Sequence, residues 1–275
     1  MRSVALAFAA LLLAACQQQA KPPAKPAEIT FDGAEVTGAA AKIAHGERLT
    51  HVLGCTGCHN KGLVGDRFYE RYASNLTRDL PKYSDGEIER VLRTGVPRDG
   101  RDLWGMPSEI FQHLSAGDMR ALIAELRTLK PSGQPTLPPL PWTQEGKDEI
   151  ASGHLKPAAV FVREERKMTP VDLGPNYARG RYITMVTCAE CHGPELKGDR
   201  DFTPNLVVAG GYTRAEFERF MTQGIPANGR KLKRKLMAGR EDPLFPSHSA
   251  GARRALRLSE GAGGTALVSA APGSE

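Results

Sequence analysis

Apolar positions in this chain recur with a helical period in short stretches, and the stretches come in two matching sets. In Tyr83-Ser-Asp-Gly-Glu-Ile, Ser84 stands as a cap before an amphipathic run that Gly95-Val96-Pro97 stops. Tyr212-Thr-Arg-Ala-Glu-Phe opens a second run in the same way, and Gly224-Ile225-Pro226 ends it. A further helix is predicted from Ser115 to Lys130. Ser115 is its cap, Asp118 the capping-box acid at N3, and Leu122, Leu126 and Leu129 share one face. Met119, Met185 and Met221 fall inside predicted helices and read as core packing.

The matches extend beyond the helices. Ala44-His-Gly46-Glu-Arg pairs with Ala178-Arg-Gly180-Arg-Tyr, Asn75-Leu76 with Asn205-Leu206, and Gly100-Arg101-Asp-Leu103 with Gly229-Arg230-Lys-Leu232. From Tyr83 onward the offset is constant. This is an internal duplication of a unit of roughly 90 residues. It divides the chain into a first unit over 33–131, a connector over 132–172 and a second unit over 173–248. The connector holds five prolines between Pro131 and Pro141 and little periodicity, so it is expected to run extended along both units.

Both ends of the chain lack this pattern. Residues 1–15 carry Arg2 and then an unbroken apolar run from Val4 to Ala15, too short to span a bilayer and proportioned like a signal-peptide core. The run ends Leu13-Ala14-Ala15-Cys16, which resembles a bacterial lipobox and makes Cys16 the lipidated residue. The alternative is an ordinary secretory signal with an incidental cysteine. Gln17 after Cys16 resembles the outer-membrane sorting pattern, so the expected location is the periplasmic side of a bacterial membrane, the outer one favoured. Residues 16–32, rich in Pro, Ala and Lys, read as a solvated tether.

Composition refines this picture. With 40% apolar and 25% charged residues the chain is neither wholly disordered nor a multi-span membrane protein. The net charge of +6 is local, because nine basic and only two acidic residues lie between Arg230 and Leu258. No aromatic residue follows Phe245, and residues 249–275 are an irregular Gly/Ala-rich tail where the first unit has its closing helix. Two accounts stand. The tail is a basic docking arm for an acidic partner or anionic lipid, or a frameshift near Met237 has replaced the native last helix. The coincidence of the break with the lost helix favours the second. No nucleic-acid-binding motif is present.

With Cys16 set aside, four cysteines remain, in Cys55-Thr-Gly-Cys58-His59 and Cys188-Ala-Glu-Cys191-His192. Two intervening residues place both sulfurs on one helical turn, where each can form a thioether with a haem vinyl group, and the next residue offers an imidazole to the iron. A zinc site does not need His after both pairs, a thioredoxin-like pair belongs in a β-α-β setting, and C-x-x-C disulfides close loops too tight to staple much chain. The pattern therefore predicts two covalently bound haem c groups, with His59 and His192 as axial ligands. The duplication locates the opposite ligands. Met106 follows Leu103 by three residues, and a two-residue insertion within Lys231–Lys235 brings Met237 to the matching place.

On these motifs both halves resemble class I cytochrome c, and the tandem resembles the dihaem cytochromes c of bacterial respiratory chains. The resemblance covers roughly 33–130 and 173–237. It implies an all-α fold of two haem domains in tandem, with a few helices around each haem and His/Met ligation. It also implies that Gly46 and Gly180 lie where the first helix of each unit crosses the last. The Pro204 carbonyl would accept the His192 ring N–H, and Ser74 stands at the equivalent place in the first unit. Trp104 is expected either beside the haem or as core filling.

The expected function is a single-electron carrier and not an enzyme, working between redox-protein donors and acceptors such as dehydrogenases, oxidases or other cytochromes. Two alternatives are a dihaem peroxidase with one open iron site and a cytochrome subunit of a dehydrogenase complex.

Overall fold

A computed structural model describes residues 27–68, 71–198 and 203–229. Among the described residues the fold is all-α apart from one hairpin. In chain order it runs α1 (Ala39–Val52), α2 (Cys55–Cys58), β1 (Asp66–Phe68), β2 (Arg71–Ala73), α3 (Leu76–Asp79), α4 (Asp85–Thr94), α5 (Ser108–Phe111) and α6 (Ala116–Leu126). It continues with α7 (Gln144–Ser152), α8 (Ala158–Glu165), α9 (Ala178–Thr187), α10 (Ala189–His192) and α11 (Arg214–Gln223), with short 3-10 turns between. The two strands pair antiparallel, Asp66 opposite Ala73 and Phe68 opposite Arg71.

The capping chemistry read from the duplicated runs is present in both copies. Ser84 and Thr213 each accept the N3 amide, while Glu87 and Glu216 reach back to the cap N–H. Gly95 and Gly224 end the two helices in the left-handed conformation. The α6 cap departs from expectation. Ser115 accepts the Asp118 amide at 3.1 Å, but its own N–H donates to the Tyr182 hydroxyl and not to Asp118. A short Asp side chain already bound elsewhere does not close the box. The Glu28 carboxylate supplies a further cap, accepting the Ala116 and Gly117 amides.

Helix α1 crosses α6 so closely at Gly46 that a Cβ there would lie 2.1 Å from the Ala121 carbonyl oxygen. At Gly180 in α9, among the described residues, nothing lies within 4 Å of the Cβ position. The described residues end at 229, so the stretch that would match α6 in the second copy lies outside them. Gly46→Ala must push the helices apart and should cost about 1–3 kcal/mol. Urea unfolding of the variant checks this, and a loss under about 0.5 kcal/mol would contradict it.

The connector is only partly extended. Residues 131–143 lie along the first copy, but α7 and α8 follow where little periodicity was visible. Ala158 N–H donates to Leu103 O at 2.8 Å, Trp104 bridges to Pro157, and a Cβ on Gly95 would meet Ala159 N at 2.6 Å. Helix α8 is thus held by tertiary contact more than by its own pattern. One hydrophobic core runs through both copies, joining Leu49, Leu92, Phe111 and Leu122 to Tyr182, Val186 and Ala189. Phe31 meets Tyr182 edge-on at 5.6 Å between ring centres. Among the described residues no helix is long and apolar enough to cross a membrane.

Candidate functional site

Each cysteine pair sits where a helix ends. After α1, Gly54 takes a left-handed conformation and the chain re-enters one helical turn, α2, which carries Cys55 and Cys58. His59 follows directly, its amide donating to Cys55 O at 2.9 Å. In the second copy Cys188 caps α10 and the His192 amide donates back to Cys188 O at 3.0 Å. Each pair therefore spans one helical turn with a histidine immediately after it.

The histidines are fixed alike. His59 Nδ1 lies 2.8 Å from Ser74 O, and His192 Nδ1 lies 2.8 Å from Pro204 O. A carbonyl only accepts, so Nδ1 carries the proton in both rings, and in the neutral ring Nε2 keeps its lone pair. Both rings are buried. This is the arrangement that orients a ligating imidazole and raises its basicity. The Pro204 expectation is matched, and Ser74 O fills the same place in the first copy.

A further match between the copies escaped the sequence reading. Gly65 N–H donates to His59 O and Gly198 N–H to His192 O; Leu76 N–H donates to Leu63 O and Leu206 N–H to Leu196 O. Leu63 and Leu196 both have positive φ, as do Gly65 and Gly198. A Cβ on Gly65 would lie 2.6 Å from Ala73 O, and on Gly198 2.4 Å from Thr203 O, so only glycine fits this loop. The signal was there to find: a Leu-x-Gly follows each histidine at the same distance.

The four motif cysteines form no disulfide. Burial pushes Cys55 up to about 12 and Cys58 up to about 11, and the nearby Glu190 charge adds to both. Burial also raises Cys188 and Cys191. A dithiol redox centre has the opposite profile, with a thiolate stabilised near neutral pH. Among the described residues no third His, Cys, Asp or Glu joins either pair to complete a metal site. The donor set fits covalent haem c: two sulfurs on one turn and an adjacent imidazole with Nε2 available. That Glu190 of the second motif bears on the thiols of the first places the two motifs close together.

Met106 follows Gly105, which has positive φ, and packs against the same core as Cys55. Its carbonyl accepts the Ser108 amide at 2.8 Å, and the Ser108 hydroxyl donates to Val91 O. Trp104 meets Trp142 edge-on at 5.1 Å, and the Arg71 guanidinium lies 3.2 Å over the Trp142 ring. A cavity of about 250 Å³ opens beside Met106, lined also by Phe68, Trp104, Phe161, Glu109 and Glu190. Of the methionines read as core, Met119 is buried and Met185 packs on the core. Cys16 and Met237 lie outside the described residues.

Glu109, in α5 on this cavity, has an Oε2 atom buried without a hydrogen-bond partner. Burial, with the charges of Glu165 and Glu190 adding, pushes its carboxyl up to about 8. The folded protein therefore holds a proton that the unfolded chain gives up. Stability should fall as pH rises from the ordinary carboxylate range toward about 8. Glu109→Gln should flatten that decline and raise the melting temperature most at pH 8. A pH profile parallel to the parent's would contradict it.

No protein-family model matches the chain. The chain is distantly similar to a subunit of nicotinate dehydrogenase from Pseudomonas putida, 26% identical over 188 residues, which cover 62% of this chain. The match spans 16% of that protein's length.

Proposed function

We propose that this protein is a dihaem c-type cytochrome that carries single electrons away from a dehydrogenase. The observation that carries the reading is the doubled motif geometry: two sulfurs on one turn, then an imidazole whose Nδ1–H is bound to a carbonyl and whose Nε2 is left for iron. Cys55 and Cys58 would hold one haem and Cys188 and Cys191 the other. His59 and Met106 would hold the iron of the first, and His192 and Met237 that of the second. Bound haem iron supplies reversible one-electron exchange between ferrous and ferric states.

The chain's own residues do the rest. The Ser74 and Pro204 carbonyls orient the two rings, the Leu-x-Gly loops hold those carbonyls in place, and the shared core packs against Cys55 of the first motif and Ala189 of the second. With a His and a Met holding each iron, no position would be open to substrate, which would separate a carrier from a dihaem peroxidase. The similarity to a component of a dehydrogenase favours the narrower reading of a cytochrome subunit over a freely diffusing carrier. The lipobox-like segment ending at Cys16 supports anchorage on the periplasmic side of a bacterial membrane, the outer one favoured.

Potentiometric titration of protein made in a host competent for cytochrome maturation tests the reading. Two one-electron waves without peroxide turnover are expected. Peroxide turnover with a five-coordinate haem would move the assignment to the peroxidase class. Stoichiometric co-purification with a catalytic subunit would mark the chain as part of a dehydrogenase.

A further inference from the structure

Asn75 and Asn205 are equivalent in the duplication, and each follows the carbonyl that accepts the ring N–H of its histidine. Their surroundings differ sharply. Asn75 is 1% exposed, and the connector folds over it. Its side-chain amide donates to Ser132 O at 2.8 Å and Gln134 O at 2.7 Å, and its oxygen accepts the Thr77 hydroxyl at 2.7 Å. Its backbone N–H donates to Thr136 Oγ1 at 2.9 Å, and the Thr136 hydroxyl in turn donates to Asp79. Arg78 adds a bond to Gly133 O. Asn205 is exposed. Among the described residues its side chain makes one hydrogen bond, accepting the Val207 amide at 2.9 Å.

We infer that residues 132–136 are a clamp that makes the two haem sites unequal. Through Asn75 they hold the Ser74 carbonyl against His59, while Pro204 and Asn205, next to the equally buried His192, are exposed among the described residues. Asn75 and Thr136 are thus positioning residues for His59. The inference rests on the functional reading above, since it concerns histidines that ligate iron. The physical chain is short. A carbonyl pinned on both flanks keeps its bond to Nδ1–H, the bound ring stays more basic at Nε2, and a basic ligand favours ferric iron. Loosening the clamp weakens that bond, so the first haem should become easier to reduce.

Nitrogen-15 NMR of the ferrous dihaem protein reads the ring N–H exchange of both histidines directly. His59 should exchange at least tenfold more slowly than His192. Asn75→Ala and Thr136→Val should remove most of that difference by speeding His59 alone. Each should also raise one of the two reduction potentials and leave the other in place. Thr136→Ser keeps the hydroxyl and should restore parent behaviour, and Asn205→Ala should move neither ring. A purely structural role would lower the melting temperature of Asn75→Ala without changing His59 exchange or either potential, and that result overturns the inference. Haem counting on the same samples separates the failures. Two haems with equal exchange at both rings overturns the clamp alone, whereas a chain without haem overturns the functional reading and the clamp together.

Discussion

Asp118→Ala will destabilise the folded protein by about 3–5 kcal/mol, the scale for removing one partner from a buried charged network. Asp118 is completely buried, and its two oxygens accept four donors from across the fold. Oδ1 takes the His45 ring N–H at 2.7 Å; Oδ2 takes Phe31 N–H at 2.9 Å, the Tyr182 hydroxyl at 2.7 Å and the Ser115 hydroxyl at 2.9 Å. Arg48 can only donate to His45 Nδ1, which fixes the ring with its proton on Nε2, facing Asp118. Truncation strands these donors in the core. It also releases Tyr182, through which α9 of the second copy grips α6 of the first. Burial acts to raise the Asp118 carboxyl, but the bonds from His45, Phe31, Tyr182 and Ser115 outweigh it and hold it below the usual carboxylate range. Its stabilisation is therefore complete above the unfolded-state value and lost as pH falls through the lower folded one. Asp118→Asn should flatten the acid limb of the stability curve. Urea unfolding monitored by circular dichroism measures both variants; a loss under about 1 kcal/mol for Asp118→Ala would show that the network contributes little.

The second large effect is expected at Met106. Met106→Ala should abolish one methionine-to-iron absorption band and lower one of the two reduction potentials. The drop should be on the order of 0.1 V or more, within the roughly 0.8 V that axial ligation spans. The other wave should stay in place. The loop carrying Met106 is braced independently of its side chain, by Ser108 on Val91 and by Trp104 on Pro157 and Trp142, so the fold should survive the change. Two unaltered waves and an intact band would remove Met106 from the ligand set.

What the sequence disclosed and what it hid follow from the range of the interactions involved. Caps such as Ser84 with Glu87, and cysteines separated by two residues before a histidine, are local constraints whose partners lie within one or two turns. Helices α7 and α8 were missed because Ala158 and Val162 are their only large contribution to the core beyond Gly146, and such short helices rely on neighbours for stability. The grip of Tyr182 on Asp118 joins residues 64 apart and leaves no periodic trace. The same holds for the clamp of residues 132–136 on Asn75: its Ser, Gly and Thr look like any loop until the chain returns over them. The family resemblance pointed to the Pro204 carbonyl and the duplication to that of Ser74, whereas the burial of Asn75 against the exposure of Asn205 leaves no sign in the matching Asn-Leu pairs.

Electron transfer of the kind proposed requires haem to be joined to this polypeptide at both motifs. The intact mass of the mature protein, expressed with cytochrome maturation and followed by peptide mapping, tests that requirement. A polypeptide heavier by two haems is expected, one on the peptide bearing Cys55 and Cys58 and one on that bearing Cys188 and Cys191. Unmodified cysteines at both places would refute it.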